Sequence, residues 1–164
     1  MGLVADLATL GHIGAAMAMI GGLVGSRILN RLAARSDKIM DVVRLTRAAA
    51  PFDRVLSAAG LLTLLTGLLA AWAAGYPWLG LTTPWIAASL AIIVVLVALI
   101  AVVFVPDGAR VEAEIQAAQE TGKVTPSLRA AFEPTGARRL AYWYGDLSSW
   151  AIVALMVLKP GVDR

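Results

Sequence analysis

Residues 85–105 read WIAASLAIIVVLVALIAVVFV, twenty-one positions without a charge. Ser89 is the only polar residue in the interior of that run. A helix of roughly 20 apolar residues crosses the hydrocarbon core of a bilayer, which is about 30 Å thick. The stretch therefore reads as a membrane-spanning helix, and the chain around it must be read with lipid as its solvent. Three further stretches have the same character: Leu7 to Leu29, Val55 to Trp72 and Leu140 to Leu158.

The connections differ in kind. Residues 75–84, GYPWLGLTTP, carry no charge and read as a tight turn between the second and third spans. A basic loop, residues 30–54, joins the first two spans, and a longer polar loop, residues 106–138, joins the last two. Each loop has the makings of a surface helix. Asp37 to Arg47 has a partly one-sided apolar pattern in Ile39, Val42, Val43 and Leu45. Asp107 is placed to cap a helix through Val111, Ile115 and Ala118 that Gly122 ends. The expected fold is all-α: one domain over residues 1–164, a polytopic antiparallel bundle of four transmembrane helices, with short surface helices in the two charged loops.

Composition agrees. The 164 residues are 59% hydrophobic and 15% charged, with a mean hydropathy of +0.77. A soluble domain carries about 25% charged residues, so this chain has too little polar surface to cover a globule in water. The net charge of +3 comes without a basic stripe interleaved with aromatics, which argues for lipid headgroups and against nucleic acid. Cysteine is absent, so no disulfide, iron–sulfur or thiolate site can form. Residues 1–6, MGLVAD, lack the basic region of a cleaved signal peptide, and Asp6 breaks the myristoylation pattern that Met1-Gly2 begins.

Orientation follows from Lys and Arg. Seven lie in and beside the first charged loop (Arg27, Arg31, Arg35, Lys38, Arg44, Arg47, Arg54) and five in and beside the second (Arg110, Lys123, Arg129, Arg138, Arg139). Only Lys159 and Arg164 fall at the other end. Positive loops stay in the cytoplasm, so both loops are expected there and both termini outside. Trp72, Tyr76, Trp78 and Trp85 then make an outer aromatic belt, and Tyr142, Trp143 and Tyr144 an inner one.

Helical wheels divide the first span into a bulky arc (Ile13, Met17, Ile20, Val24, Ile28) and a small one (Gly11, Gly14, Ala15, Ala18, Gly21, Gly22, Gly25, Ser26). Small residues let helix backbones approach closely in lipid. The second span has a similar stripe, Ser57, Gly60, Thr63, Gly67 and Ala74. The fourth gathers Tyr142, Gly145, Asp146, Ser149, Val153 and Met156 on one side. The first, second and fourth spans are therefore expected to form the packed core, with the third facing lipid.

An ionisable side chain within a span is costly and marks a candidate site. Two stand out. Asp146 has Arg27 and Arg54 as possible partners at the same end of the bundle, and a charge pair would act as a folding clamp. His12, the sole histidine, lies toward the other end. A neutral imidazole is a ligand for haem or copper and equally a packing hydrogen-bonder. Met156 is at the right depth to face it. No P-loop, dinucleotide fingerprint, nucleophile elbow or zinc-helix motif occurs.

Gly11-His12 followed by Gly21-Gly22 and Arg27 resembles the opening helix of a bacterial membrane superfamily containing copper resistance protein D and the membrane protoporphyrinogen oxidases. Gly60-Leu61-Leu62-Thr63, Thr66-Gly67 and the ending Met156 to Pro160 are more similar to a four-helix family of predicted integral membrane proteins. The first resemblance implies haem or copper at His12, and both imply a bacterial inner membrane. The residues themselves favour a non-catalytic scaffold or accessory subunit that packs through its Gly/Ala faces, within itself or against other membrane subunits. A haem- or copper-associated redox protein using His12 is the alternative, and a small transporter a third.

Overall fold

The computed structural model describes residues 2–160, so the expectations resting on Met1 and Arg164 lie outside the described residues. Its elements are α1 (Leu3–Arg35), α2 (Ile39–Ala73), a 3₁₀ turn (Pro77–Gly80), α3 (Pro84–Leu99), a π-helical segment (Ile100–Phe104), α4 (Val105–Thr121), α5 (Pro126–Phe132) and α6 (Gly136–Leu158). No strand occurs among the described residues. Four helical stretches are long and apolar enough to cross a membrane: Leu3–Arg35, Ile39–Ala73, Pro84–Thr121 and Gly136–Leu158.

The helices overrun the spans read from hydropathy. The expected loop over residues 30–54 shrinks to a break at Ser36, Asp37 and Lys38. The surface helix expected over Asp37 to Arg47 is the first part of α2, which continues through Pro51 into the second span. Likewise α4 is no separate helix capped by Asp107. It continues from α3, and Asp107 is a buried residue within it. Pro106 has no N–H to bond the carbonyl four residues back, and its ring crowds that turn. The helix widens to π geometry just before it, over Ile100–Phe104. Gly122, in the left-handed region at φ 67, does end α4.

These extensions persist because they bury one another. Ala33, Ile39, Val42, Val43, Ile115, Ala118 and Leu128 form one apolar cluster, with Leu45, Val111, Val124 and Phe132 against it. Ala118 and Leu128 are 0% exposed, the lowest values among the described residues. The tightest packing therefore lies in a cap at the charged end, beyond the spans. The apolar faces of the loop helices meet each other. Within the spans the large side chains point outward, as lipid permits: Met17, Leu61, Val94 and Trp150 are all exposed.

α1 and α2 form one hairpin, drawn together where Gly22 leaves room for the backbone of Phe52 and Leu56. α3 packs on α6, where Tyr144 donates to the Ile92 carbonyl at 3.1 Å, and Ile86 and Ser89 of α3 are buried. The third span is still the most lipid-exposed: 6% of its apolar window is buried, against 17–22% in the other three.

Two expected surfaces are corrected. Tyr142 and Tyr144 do not belong to an inner aromatic belt, because both turn inward onto partners and only Trp143 is exposed. The small arc of α1 also divides. Ala15, Gly22 and Ser26 are buried, while Gly11, Gly14, Ala18 and Gly21 are exposed.

Candidate functional site

His12 projects from α1 across α2. Its Nδ1 lies 2.8 Å from the Thr63 carbonyl oxygen. A carbonyl only accepts, so Nδ1 carries the hydrogen. Helix carbonyls are usually shielded by the side chain one turn on, which here is residue 67. Gly67 has none, and a Cβ there would sit 2.9 Å from the imidazole. The ring thus occupies the space that glycine leaves.

The other nitrogen, Nε2, faces Met156 Sδ of α6 at 3.4 Å. In a neutral ring Nε2 is an acceptor, and a thioether sulfur is one as well. The ring edge and the thioether are thus in direct contact, two groups that can both act as acceptors. Three elements thus converge on one imidazole. Met19, on the same side of α1, lies about two turns away beside Gly60, with its sulfur 3.8 Å from where a Cβ would be.

Asp146 pairs with Arg27, joining α6 to α1. Arg27 also points its guanidinium at the Tyr142 carbonyl, 3.4 Å away, and lies 5.8 Å from the Tyr142 ring centroid. Arg54 is exposed and makes no ion pair among the described residues. His12 and Arg27 are fifteen residues apart in one helix, about 22 Å at 1.5 Å per residue, so the two sites are separate.

Above the pair, on the terminal side, a crevice of about 130 Å³ runs between α1 and α6. Ile20, Leu23 and Val24 form one wall and Trp150 and Val153 the other, with Arg27, Asp146 and Ser149 at its polar end.

Residues 7–160 match the model of a family described as predicted integral membrane protein (DUF2269). The chain belongs to that family. No curated protein and no solved structure matches it. The comparisons give no evidence for similarity to copper resistance protein D.

Two polar constellations of this DUF2269 chain are absent from the sequence reading. Asp107, 7% exposed, pairs with Arg138 and accepts from Tyr142 Oη at 2.9 Å. The readable signal was its position: a carboxylate directly after a long apolar run needs a partner, and Arg138 opens the next span. Asp53 accepts from Ser26 Oγ at 2.6 Å, and Asn30 Nδ2 donates to that same hydroxyl at 3.2 Å. This network links α1 to α2. A third ion pair, Arg129–Asp37, joins α5 to the break between α1 and α2.

Proposed function

We propose that this integral membrane protein is a non-catalytic scaffold or accessory subunit of a membrane assembly. One observation carries the reading: three ion pairs within and beside the spans each join separate elements. Arg27–Asp146 ties α1 to α6, Asp107 with Arg138 and Tyr142 ties α4 to α6, and Arg129–Asp37 ties α5 to the α1–α2 break. Such pairs cost desolvation and are weak sources of stability, but they fix which helices meet. A cap with a closed apolar core then offers a firm platform at the charged end. The test is native mass spectrometry on gently solubilised membranes of the source cell. The reading expects the chain to co-purify, colourless, with a larger assembly. A lone chain carrying a stoichiometric chromophore would sink it.

The orientation proposed places the cap in the cytoplasm of a bacterial inner membrane and both termini outside, on the weight of twelve cations against two. The cysteine-free chain makes this easy to test. In intact cells an impermeant maleimide should label Trp78→Cys and spare Lys123→Cys. The reverse pattern inverts the topology.

The facing acceptors of His12 and Met156 favour a second reading, a soft-metal site. His12 Nε2 and Met156 Sδ, 3.4 Å apart, would hold such a metal ion between α1 and α6, and copper(I) accepts imidazole and thioether ligands. His12→Ala and Met156→Leu should each abolish copper(I) retained by purified protein, as measured by elemental analysis. Unchanged retention in both removes this reading.

A further inference from the structure

The crevice between α1 and α6 has an ordered polarity. At one end lies the Arg27–Asp146 pair, six residues along α1 from Ala33, the nearest α1 residue of the cap core. From there, past Ser149 one turn along α6, the walls run through Leu23 and Val153 to Ile20 and are mainly apolar. Seven residues separate Ile20 from Arg27, and seven separate Asp146 from Val153, about 10 Å of helix on each side. The charged end lies on the cap side and the apolar end toward the middle of the span. A bilayer lipid has the same gradient, with headgroup outward and acyl chain inward.

The charges narrow the choice of lipid. Both members of the pair are part-exposed, with side-chain exposures of 26% for Arg27 and 37% for Asp146. The pair joins Arg27 Nη1 to Asp146 Oδ2, while Arg27 Nη2 donates to the Tyr142 carbonyl. Among the described residues, Asp146 Oδ1 and Arg27 Nε make no hydrogen bond. Unused donors on Arg27 and unused acceptor sites on Asp146 therefore remain, on adjoining groups of opposite charge. An anionic headgroup would satisfy Arg27 but set a second negative charge beside Asp146. A zwitterionic headgroup with a protonated primary amine satisfies both: its phosphate takes Arg27, and its ammonium donates to Asp146.

We propose that the α1–α6 crevice binds one phospholipid with a primary-ammonium zwitterionic headgroup, of the phosphatidylethanolamine kind. The headgroup lies on Arg27 and Asp146, and an acyl chain lies along Leu23, Ile20 and Val153. Ser149 Oγ already bonds the Gly145 carbonyl at 3.3 Å, so it contributes shape and no charge. The inference is independent of the scaffold reading, since a lipid in this crevice is compatible with any partner.

Native mass spectrometry of detergent-purified full chain tests it, with phosphatidylethanolamine, phosphatidylcholine and phosphatidylglycerol of matched acyl chains added in turn. Phosphatidylethanolamine should be retained one per chain, at least tenfold more tightly than either competitor. Phosphatidylcholine lacks the N–H that Asp146 accepts, and phosphatidylglycerol lacks the cation. Arg27→Gln with Asp146→Asn removes both charges together and should erase the preference. Should that double variant fail to fold, Val153→Phe fills the groove without touching the pair and should lower retention about tenfold. Equal retention of the three lipids, tighter phosphatidylglycerol binding, or retention unchanged by Val153→Phe would each overturn the proposal.

Discussion

The His12 imidazole bonds the Thr63 carbonyl because residue 67, one turn further along α2, has no side chain to cover that oxygen. Gly67→Ala places a methyl group 2.9 Å from the ring. That separation is too short for carbon contacts, so the ring must move. It then loses its hydrogen bond and shifts against Met156. Overpacking of this kind costs about 1–3 kcal/mol. The measurement is thermal unfolding in detergent, read as a double-mutant cycle. With His12→Ala in place, Gly67→Ala should become neutral or slightly stabilising. Equal costs in both backgrounds would mean that the ring does not occupy this space.

Gly22 and Gly21 are neighbours in sequence with opposite surroundings. A Cβ at Gly22 would lie 2.8 Å from Leu56 N and 2.9 Å from Phe52 O, both backbone atoms that no rotamer change can move. Nothing lies within 4 Å of a Cβ at Gly21. Gly22→Ala should force α1 and α2 apart and lower the melting temperature of the detergent-solubilised protein by several degrees. Gly21→Ala should be neutral or slightly stabilising, since alanine is favoured over glycine in a helix by up to about 1 kcal/mol. Similar melting temperatures for the two variants would contradict the close approach at Gly22.

Asp146 has one ionic partner, and the choice is testable. Asp146→Asn leaves Arg27 part-buried without its carboxylate and should reduce the folded yield from membranes. The swap Arg27→Asp with Asp146→Arg should restore most of that yield. The swap Arg54→Asp with Asp146→Arg should not, because Arg54 is exposed and away from the pair. Rescue through Arg54 alone would reassign the clamp.

The four spans were legible because lipid burial demands long apolar runs, and residues 85–105 admit no other reading. The Arg27–Asp146 contact could be narrowed to two candidates, since depth in the membrane follows from helical rise; choosing Arg27 over Arg54 required the azimuth of α6. The helices of the cap were legible as one-sided patterns, in Ile39, Val42 and Val43 and in Val111, Ile115 and Ala118. Their mutual packing was not, because Ile39, Val42 and Val43 are buried only once Ile115 and Leu128 arrive from elsewhere in the chain. The role of Asp107 escapes local sequence for the same reason. Its local sequence fits an N-cap, but the partner that decides its role, Arg138, is 31 residues away.

The cap should answer to mutation as a water-soluble core does. Leu128 is 0% exposed at the centre of its cluster, and truncating a buried leucine to alanine costs about 2–5 kcal/mol. Leu128 sits on α5, which contributes no residue to the spans, so the loss should stay in the cap. Hydrogen exchange of Leu128→Ala in detergent should show amides of residues 39–47 and 111–132 exchanging at least tenfold faster, while those of residues 85–99 and 147–157 keep their protection. Uniform loss of protection across the chain would show that the cap and the bundle fold as one unit, which would make the cap a structural requirement of the spans themselves.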